Sequence, residues 1–249
     1  MNNKIINSSQ NPTVKHLVKL VNNKKYREAC KSTVIESATM IRELSQHILK
    51  IFTTNIDLVP KNITCTDIYL ISESVLKKIS GTKSPSGIIA EAKLPQQSNL
   101  ENIKRLIVLD GVQDPGNLGT LIRTAIAFGW EGIFLLEGCC DPWNDKALRS
   151  SKGASFKLPI CSGNWDDLTI LAKNNRLTLL AADIEGSPPE NYSQLNENIA
   201  LVLGSEGQGL SEKSKKNCNK ITIPINNNME SLNVSIAGGI LMYLLARTQ

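Results

Sequence analysis

Histidine is scarce in this chain of 249 residues, which has only His16 and His47. Neither stands at metal-ligand spacing with a cysteine, and no two cysteines form a CxxC pair, so no metal site is expected. The six cysteines, Cys30, Cys65, Cys139, Cys140, Cys161 and Cys218, are scattered. A disulfide framework is not expected at this length, and Cys139 and Cys140 are too close for an ordinary bridge. No apolar run reaches the roughly 18 residues a membrane-spanning helix needs, so no membrane partner is expected. Met1 to Gln10 is polar and lacks the apolar core of an export signal, which points to a cytoplasmic location. No GK[ST] string occurs, which excludes a P-loop.

What is present is an ordinary globular composition, 41% hydrophobic and 20% charged. The length suits one large domain or two small ones with a sizeable core. The net charge of +5 is unevenly spread. Residues 1–100 hold 14 Lys and Arg against 7 Asp and Glu, whereas residues 101–249 hold 14 against 16. A basic first part beside a near-neutral second part suggests that one half captures a polyanion. A basic surface that serves only solubility explains the charge equally well.

Pro12 to Asn22 reads as a helix, with Pro12 in its first turn and Val14, Leu17, Val18 and Val21 at helical spacing. Lys15, Lys19, Lys24, Lys25, Arg27 and Lys31 cluster around it, with His16 and Tyr26 among them. Such a cluster suits phosphate contact and base stacking, or else a solvated helix face. Short elements follow: strands at 32–35, 48–52, 67–71 and 88–90, and helices at 36–47 and 74–79. They make a small α/β domain over 1–94. Leu94 to Asn102, with Pro95 and Ser98, reads as a linker, assigned to 95–103. Beyond it, apolar runs at 106–109, 133–136, 177–181, 199–203 and 221–223 read as buried strands. Helices at 118–128, 146–152, 165–173, 210–216 and 234–247 alternate with them. That alternation predicts an α/β domain over 104–249, a mostly parallel sheet covered on both faces.

Three segments follow strands of that sheet, where open α/β sheets bind ligands. In the first, Leu109 to Ala125, glycines and Pro115 mark a turn, Asn117 is placed to cap the next helix, and Arg123 offers a planar fork for a phosphate or ribose oxygen. In the second, Leu201 to Leu210, Gly204, Gly207 and Gly209 surround Glu206 and let backbone approach a ligand. Their order is not GxGxxG, and too few residues remain for a dinucleotide-binding domain. In the third, Ile223 to Ala237, an extended chain puts Ser231, Asn233 and Ser235 on one face. Helix capping by Ser231 or Asn233 explains that pattern equally well.

Together the strings Asn117-Leu-Gly-Thr-Leu-Ile-Arg123-Thr-Ala, Leu203-Gly-Ser-Glu206-Gly-Gln-Gly and Glu230-Ser-Leu-Asn-Val-Ser-Ile-Ala237 resemble, in order and separation, the three motifs of the SpoU (TrmH) family of RNA methyltransferases in the SPOUT superfamily. Asn11-Pro-Thr-Val-Lys-His, Lys25-Tyr-Arg27 and Ser84-Pro-Ser-Gly-Ile-Ile are similar to the substrate-binding domain, a ribosomal-protein-like fold, that precedes many members. Two departures stand out. Glu36-Ser37 replaces the family's Glu-Gly, and Ile225 and Asn227 replace its Met and Gly.

The resemblance implies a deep trefoil knot near the C-terminus, a homodimer, and transfer of a methyl group from S-adenosylmethionine to a ribose 2′-hydroxyl of RNA. It implies Asn117, Arg123, Glu206, Ser231 and Asn233 as the catalytic set. Leu203, Gly204, Ile223 and Leu232 would hold the cofactor, largely through backbone atoms. Glu206 is expected to order its loop and to hold Arg123 or a backbone amide. Lys15, Lys24, Lys25 and Arg27 are the candidate RNA-binding residues. The extra N-terminal domain favours ribosomal RNA, 23S in particular, over transfer RNA. A non-catalytic RNA-binding protein of the same fold, and a nucleotide-cofactor oxidoreductase disfavoured by its glycine order, are the competing classes.

Overall fold

The computed structural model describes residues 4–63, 65, 67–96, 99–192, 198–226 and 228–247. Gln97 and Ser98 of the expected linker and the family departure at Asn227 lie outside them. The chain forms two compact units, Met1–Gln96 with Trp143–Phe156, and Gln97–Pro142 with Lys157–Gln249.

The first unit begins with β1 (Lys4–Ile6), α1 (Pro12–Asn22), α2 (Lys24–Cys30), β2 (Ser32–Glu36) and α3 (Ala38–Glu43). It continues with β3 (Ile48–Thr53), β4 (Ile68–Ile71), α4 (Glu73–Ile79) and β5 (Ile88–Lys93). The sheet order is β1-β4-β3-β5-β2, with β1, β4 and β3 parallel and β5 antiparallel to β3 and β2. Alternate side chains of the strands feed two cores. Leu17, Leu20, Val75, Leu76 and Ile79 pack with Phe52, Ile71 and Ile89 on one face. On the other, Ile41 and Leu44 meet Ile51, Ile88 and Ala90.

The second core also takes Leu148 and Phe156, from a segment far along the chain. Its helix α6 (Asp145–Ser151) lies in the first unit, with the Thr33 hydroxyl donating to the Trp143 carbonyl at 3.0 Å. A single domain over 104–249 was expected. Instead the apolar side chains of 143–156 find their burial on the N-terminal sheet, which sequence separation conceals.

Helix α2 was not anticipated, because its sequence is a run of charges without an apolar stripe. It forms because Asn23 caps it, accepting from the Tyr26 amide at 2.9 Å, and because Lys31 takes a left-handed φ of 50° at its end. Its single buried side chain is Arg27, 4% exposed. The Arg27 guanidinium donates to the carbonyls of Leu20 at 2.5 Å and Val21 at 2.9 Å. Those carbonyls end α1 and have no partner within the helix. Arg27 is therefore buried against α1, where an exposed RNA-binding side chain was expected. Lys15, Lys24 and Lys25 are exposed. His16, read in the sequence as part of the basic cluster, joins three elements. Its ring nitrogens lie 2.9 Å from the Tyr26 hydroxyl on α2 and 3.0 Å from the buried Glu91 carboxylate on β5.

The second unit comprises β6 (Arg105–Asp110), α5 (Pro115–Ala127), β7 (Gly132–Leu135), β8 (Ile160–Ser162) and α7 (Trp165–Asn175). It closes with β9 (Thr178–Ser187), β10 (Ile199–Gly204), α8 (Glu212–Asn217), β11 (Asn219–Ile221) and α9 (Val234–Arg247). All neighbours in the order β11-β9-β10-β6-β7-β8 are parallel. The short β8 was not anticipated. Leu106 and Val108 face a core with Trp165, Leu168 and Leu210 under α7. On the other side α9 packs on α5 and β10. A side chain at Gly238 would meet Leu121 and Leu203 at 2.5 and 2.7 Å, so α9 sits close. The chain leaves β6 toward β7 and β8, then returns to lay β10 on β6's other edge. Such a reversal opens a crevice beyond the strand ends.

Glycine is replaced at one strained position of the first unit. Ser37 has φ 138°, a region that favours glycine. The turn persists because the Glu36 carboxylate accepts from the Ser80 hydroxyl at 2.6 Å and the Ser86 amide at 2.8 Å. Ser37→Gly is expected to raise stability by about 1 kcal/mol through relief of this strain. Urea denaturation checks it, and an unchanged midpoint would contradict it.

Candidate functional site

The carboxyl ends of β6 and β10, beyond which the crevice is expected, are aligned by strand pairing. Leu109 pairs with Leu203 and Asp110 with Gly204, so both strands end side by side. After β6 the turn 111–114 leads into α5. Asp114 caps that helix, accepting from the Asn117 amide at 2.9 Å, and Pro115 fills the first position. Asn117 was expected to be the cap. It is instead the third residue of the helix, so its carboxamide is free to point outward.

That carboxamide joins the three motifs. Its Nδ2 donates to the Glu206 carboxylate at 2.7 Å, and its Oδ1 accepts from Asn233 Nδ2 at 3.2 Å. Asn233 starts α9. Its carbonyl accepts from the Ala237 amide at 2.9 Å, and its Oδ1 accepts from the Ser235 amide at 2.9 Å and hydroxyl at 2.6 Å. Ser235 thus belongs to the first turn of the helix, and the single extended face expected for Ser231, Asn233 and Ser235 ends at Val234. Asn233 both caps and connects, although the two roles were posed as alternatives.

Glu206 rides on a loop closed by backbone. The Ser205 amide donates to the Gly209 carbonyl at 2.9 Å and the Gly209 amide to the Ser205 carbonyl at 3.0 Å. A side chain at Gly204 would lie 2.4 Å from the Gly209 carbonyl carbon, whereas Gly207 and Gly209 face open space. This makes a main-chain cradle with bare backbone outward. Leu203 is buried against α9, so only its backbone is offered to the crevice. Leu232 is 37% exposed and Ile223 is half-buried, each on irregular chain after β11.

Arg123 and Ser231 are exposed, and neither side chain has a hydrogen bond or ion pair among the described residues. Glu206 holds Asn117, not the Arg123 or backbone amide expected of it. Arg123 lies on α5 beyond Asn117, with its guanidinium uncommitted. The nearby thiols are not nucleophiles. Burial, then the charges of Asp110 and Glu206, pushes Cys139 up to about 11. Burial and the neighbouring Cys139 push Cys140 up to about 12. Both stay protonated near pH 7. Among the described residues no three His, Cys, Asp or Glu side chains group as a metal site. No helix there is long and apolar enough to cross a membrane.

One residue of the crevice escaped the sequence reading. Asp110, 7% exposed at the end of β6, accepts from the Ser211 amide at 2.8 Å and from the Ser214 hydroxyl. A carboxylate ending an apolar strand was the available signal.

The residues fit an S-adenosyl nucleoside. The exposed glycine backbone at Gly207 and Gly209 offers hydrogen bonds, and the exposed Leu232 side chain offers apolar surface to a flat base. Comparison with known proteins agrees. Residues 104–243 match the SpoU rRNA Methylase family, and residues 11–90 match the MRM3-like substrate binding domain. The chain is 32% identical over 250 residues to the 23S rRNA (guanosine(2553)-2′-O)-methyltransferase RlmP of Bacillus subtilis, covering 97% of this chain and 99% of that protein. The structure superposes on a crystal structure of an RNA 2′-O ribose methyltransferase with TM-score 0.80 and 26% identity, covering 98% of each chain. It superposes on an AdoMet-bound rRNA methyltransferase from Sinorhizobium meliloti with TM-score 0.85 and 25% identity, covering 98% of this chain and 97% of that one. In this site, Gly204→Ala is expected to destabilise the protein by about 1–3 kcal/mol, because the new methyl meets backbone that cannot rotate away. A denaturation midpoint equal to wild type would contradict that.

Proposed function

We propose, for a chain that belongs to the SpoU rRNA methylase family, that it transfers a methyl group from S-adenosylmethionine to a ribose 2′-hydroxyl of ribosomal RNA, in the 23S molecule. The carrying observation is the Glu206–Asn117–Asn233 chain of hydrogen bonds, which unites all three motifs at the mouth of the β6/β10 crevice. When bound, S-adenosylmethionine supplies a methyl group already activated on a sulfonium. The protein's work is therefore alignment of the ribose oxygen and removal of its proton.

Backbone of Leu203, Gly204 and Ile223, with Leu232 alongside, holds the cofactor. Arg123 grips the target nucleotide's phosphate and orients its 2′-oxygen. A guanidinium keeps its proton in proteins, so Arg123 acts as a clamp, and the phosphate it holds takes the proton. Ser231 and Asn233 position the ribose, and Glu206 fixes Asn117. The uncommitted Arg123 supports this, because a structural arginine would be paired.

Lys15, Lys24 and Lys25 on α1 and α2 bind RNA phosphates, with Arg27 acting behind them as a structural brace. The assembly is a cytoplasmic homodimer joined through α9, where Ile236, Ile240 and Tyr243 form an exposed apolar stripe at 54%, 37% and 37%. The return of the chain after β11 to Asn117 on α5, beside the inserted β10, supports a deep trefoil knot.

Two measurements test this. Methyl-labelled S-adenosylmethionine is incubated with undermethylated ribosomal and transfer RNA, and the RNA is digested to nucleosides. Label is expected on the ribose of one ribosomal nucleotide. Arg123→Ala should cut kcat/KM by about a hundredfold while changing stability by less than about 0.5 kcal/mol. Label in no RNA, or full turnover by Arg123→Ala, would defeat the proposal. Replacing Lys15, Lys24 and Lys25 by alanine should reduce the slope of log affinity against log salt by about 2, at about 0.7 per phosphate contact. An unchanged slope would remove these lysines from the RNA interface.

A further inference from the structure

The loop that carries Glu206 meets one residue, Asp110, with both feet. Its first foot, Gly204, is the strand-pairing partner of Asp110. Its second foot, Ser211, donates its amide to the Asp110 carboxylate at 2.8 Å. The same oxygen, Oδ2, takes the hydroxyl of Ser214, which is fully buried. The Ser211 and Ser214 hydroxyls lie 3.1 Å apart and complete the cluster. Next to Asp110, a side chain at Gly111 would come within 3.7 Å of Ser205 Cβ, so the turn after β6 runs beside the loop as well.

We propose that Asp110 is a positioning residue for the methyl transfer: its buried carboxylate sets the base of the 204–211 loop, so that Glu206 at the tip meets Asn117 and the backbone cradle keeps its shape. This rests on the assignment of that loop to the cofactor. The physical case is one of geometry and alternatives. Between its feet the loop is held by its own Ser205–Gly209 bridge, by the Gln208 amide on the Ser205 hydroxyl at 3.2 Å, by the Leu210 side chain buried in the core, and at its tip by the Glu206–Asn117 bond at an exposed site. An exposed side-chain bond is weak on its own, whereas a buried carboxylate accepting two hydrogen bonds is not easily exchanged for water. Loss of the carboxylate would leave the Ser211 amide and the buried Ser214 hydroxyl to find other partners, and the base of the loop would loosen on either side of the buried Leu210. Asparagine can still offer one oxygen to the same donors, so it should preserve the shape that alanine loses.

The test compares the full-length wild-type chain with Asp110→Ala, Asp110→Asn and Ser214→Ala. Hydrogen exchange of the 204–211 amides is followed without cofactor, and S-adenosylmethionine binding is measured by calorimetry. In Asp110→Ala, exchange in 204–211 is expected to quicken about tenfold, with protection of β6 and β7 unchanged, and the Kd for S-adenosylmethionine to rise about tenfold, as for loss of one charged hydrogen bond. Asp110→Asn should recover most of both effects, and Ser214→Ala should show a smaller version of them. Wild-type exchange and binding in a folded Asp110→Ala would overturn the proposal. So would an asparagine variant as impaired as alanine, with protection lost throughout the sheet. If Asp110→Ala does not fold, Ser214→Ala decides, and wild-type loop exchange and affinity in it would overturn the proposal. A wild-type chain that binds no S-adenosylmethionine would defeat the cofactor assignment. The exchange comparison, made without cofactor, separates that failure from failure of the Asp110 anchor.

Discussion

One carboxamide carries the geometry of the crevice. Asn117 is donor to Glu206 and acceptor from Asn233 at once. Aspartate would repel Glu206, and leucine would offer neither bond. An ionised carboxylate only accepts, so the amide must turn its nitrogen toward Glu206 and its oxygen toward Asn233. Asn117 is thereby tied to Glu206, 89 residues further along the chain, and to Asn233, 116 residues further along. The tie is possible because β6 and β10 pair in register to their last residues. It also needs Asp114, which takes the capping role and leaves Asn117 unspent.

The arrangement divides labour between rigid and free groups. Asn117, Asn233 and Glu206 are committed to one another, and Asp110 to the loop base. Arg123 and Ser231, alongside them in the same motifs, are left without partners among the described residues. A site that preorganises its frame and leaves side chains such as Arg123 and Ser231 free suits a reaction whose donor is already activated, where alignment is the larger part of catalysis. The first unit shows the same division. Arg27 is consumed by the carbonyls of α1, while Lys15, Lys24 and Lys25 remain outside.

The parallel sheet was legible because its strands are buried on both faces and read as unbroken apolar runs, as in Leu106 to Leu109. Helix α9 was legible to its ends from its apolar spacing. That Asn117, Glu206 and Asn233 stand out was legible from motif strings, but their bonding to one another was not. Asn117 and Asn233 look alike as capping residues in sequence, and one caps while the other does not. Helix α2 and the burial of Arg27 were illegible because charge hides a structural role, and only the position of α1's carbonyls reveals it. The packing of 143–156 on the N-terminal sheet depends on tertiary burial alone. Asp110 was passed over because a lone carboxylate at a strand end has no pattern until Ser211 and Ser214 are seen to meet it.

The central claim is that Asn117 and Glu206 act as one unit in methyl transfer. A double-mutant cycle on kcat/KM, with Asn117→Ala, Glu206→Ala and both together, tests it most directly. Paired by the 2.7 Å bond, the two changes should be strongly non-additive, the double variant being little slower than the worse single one. Effects that multiply as those of independent residues would contradict the account.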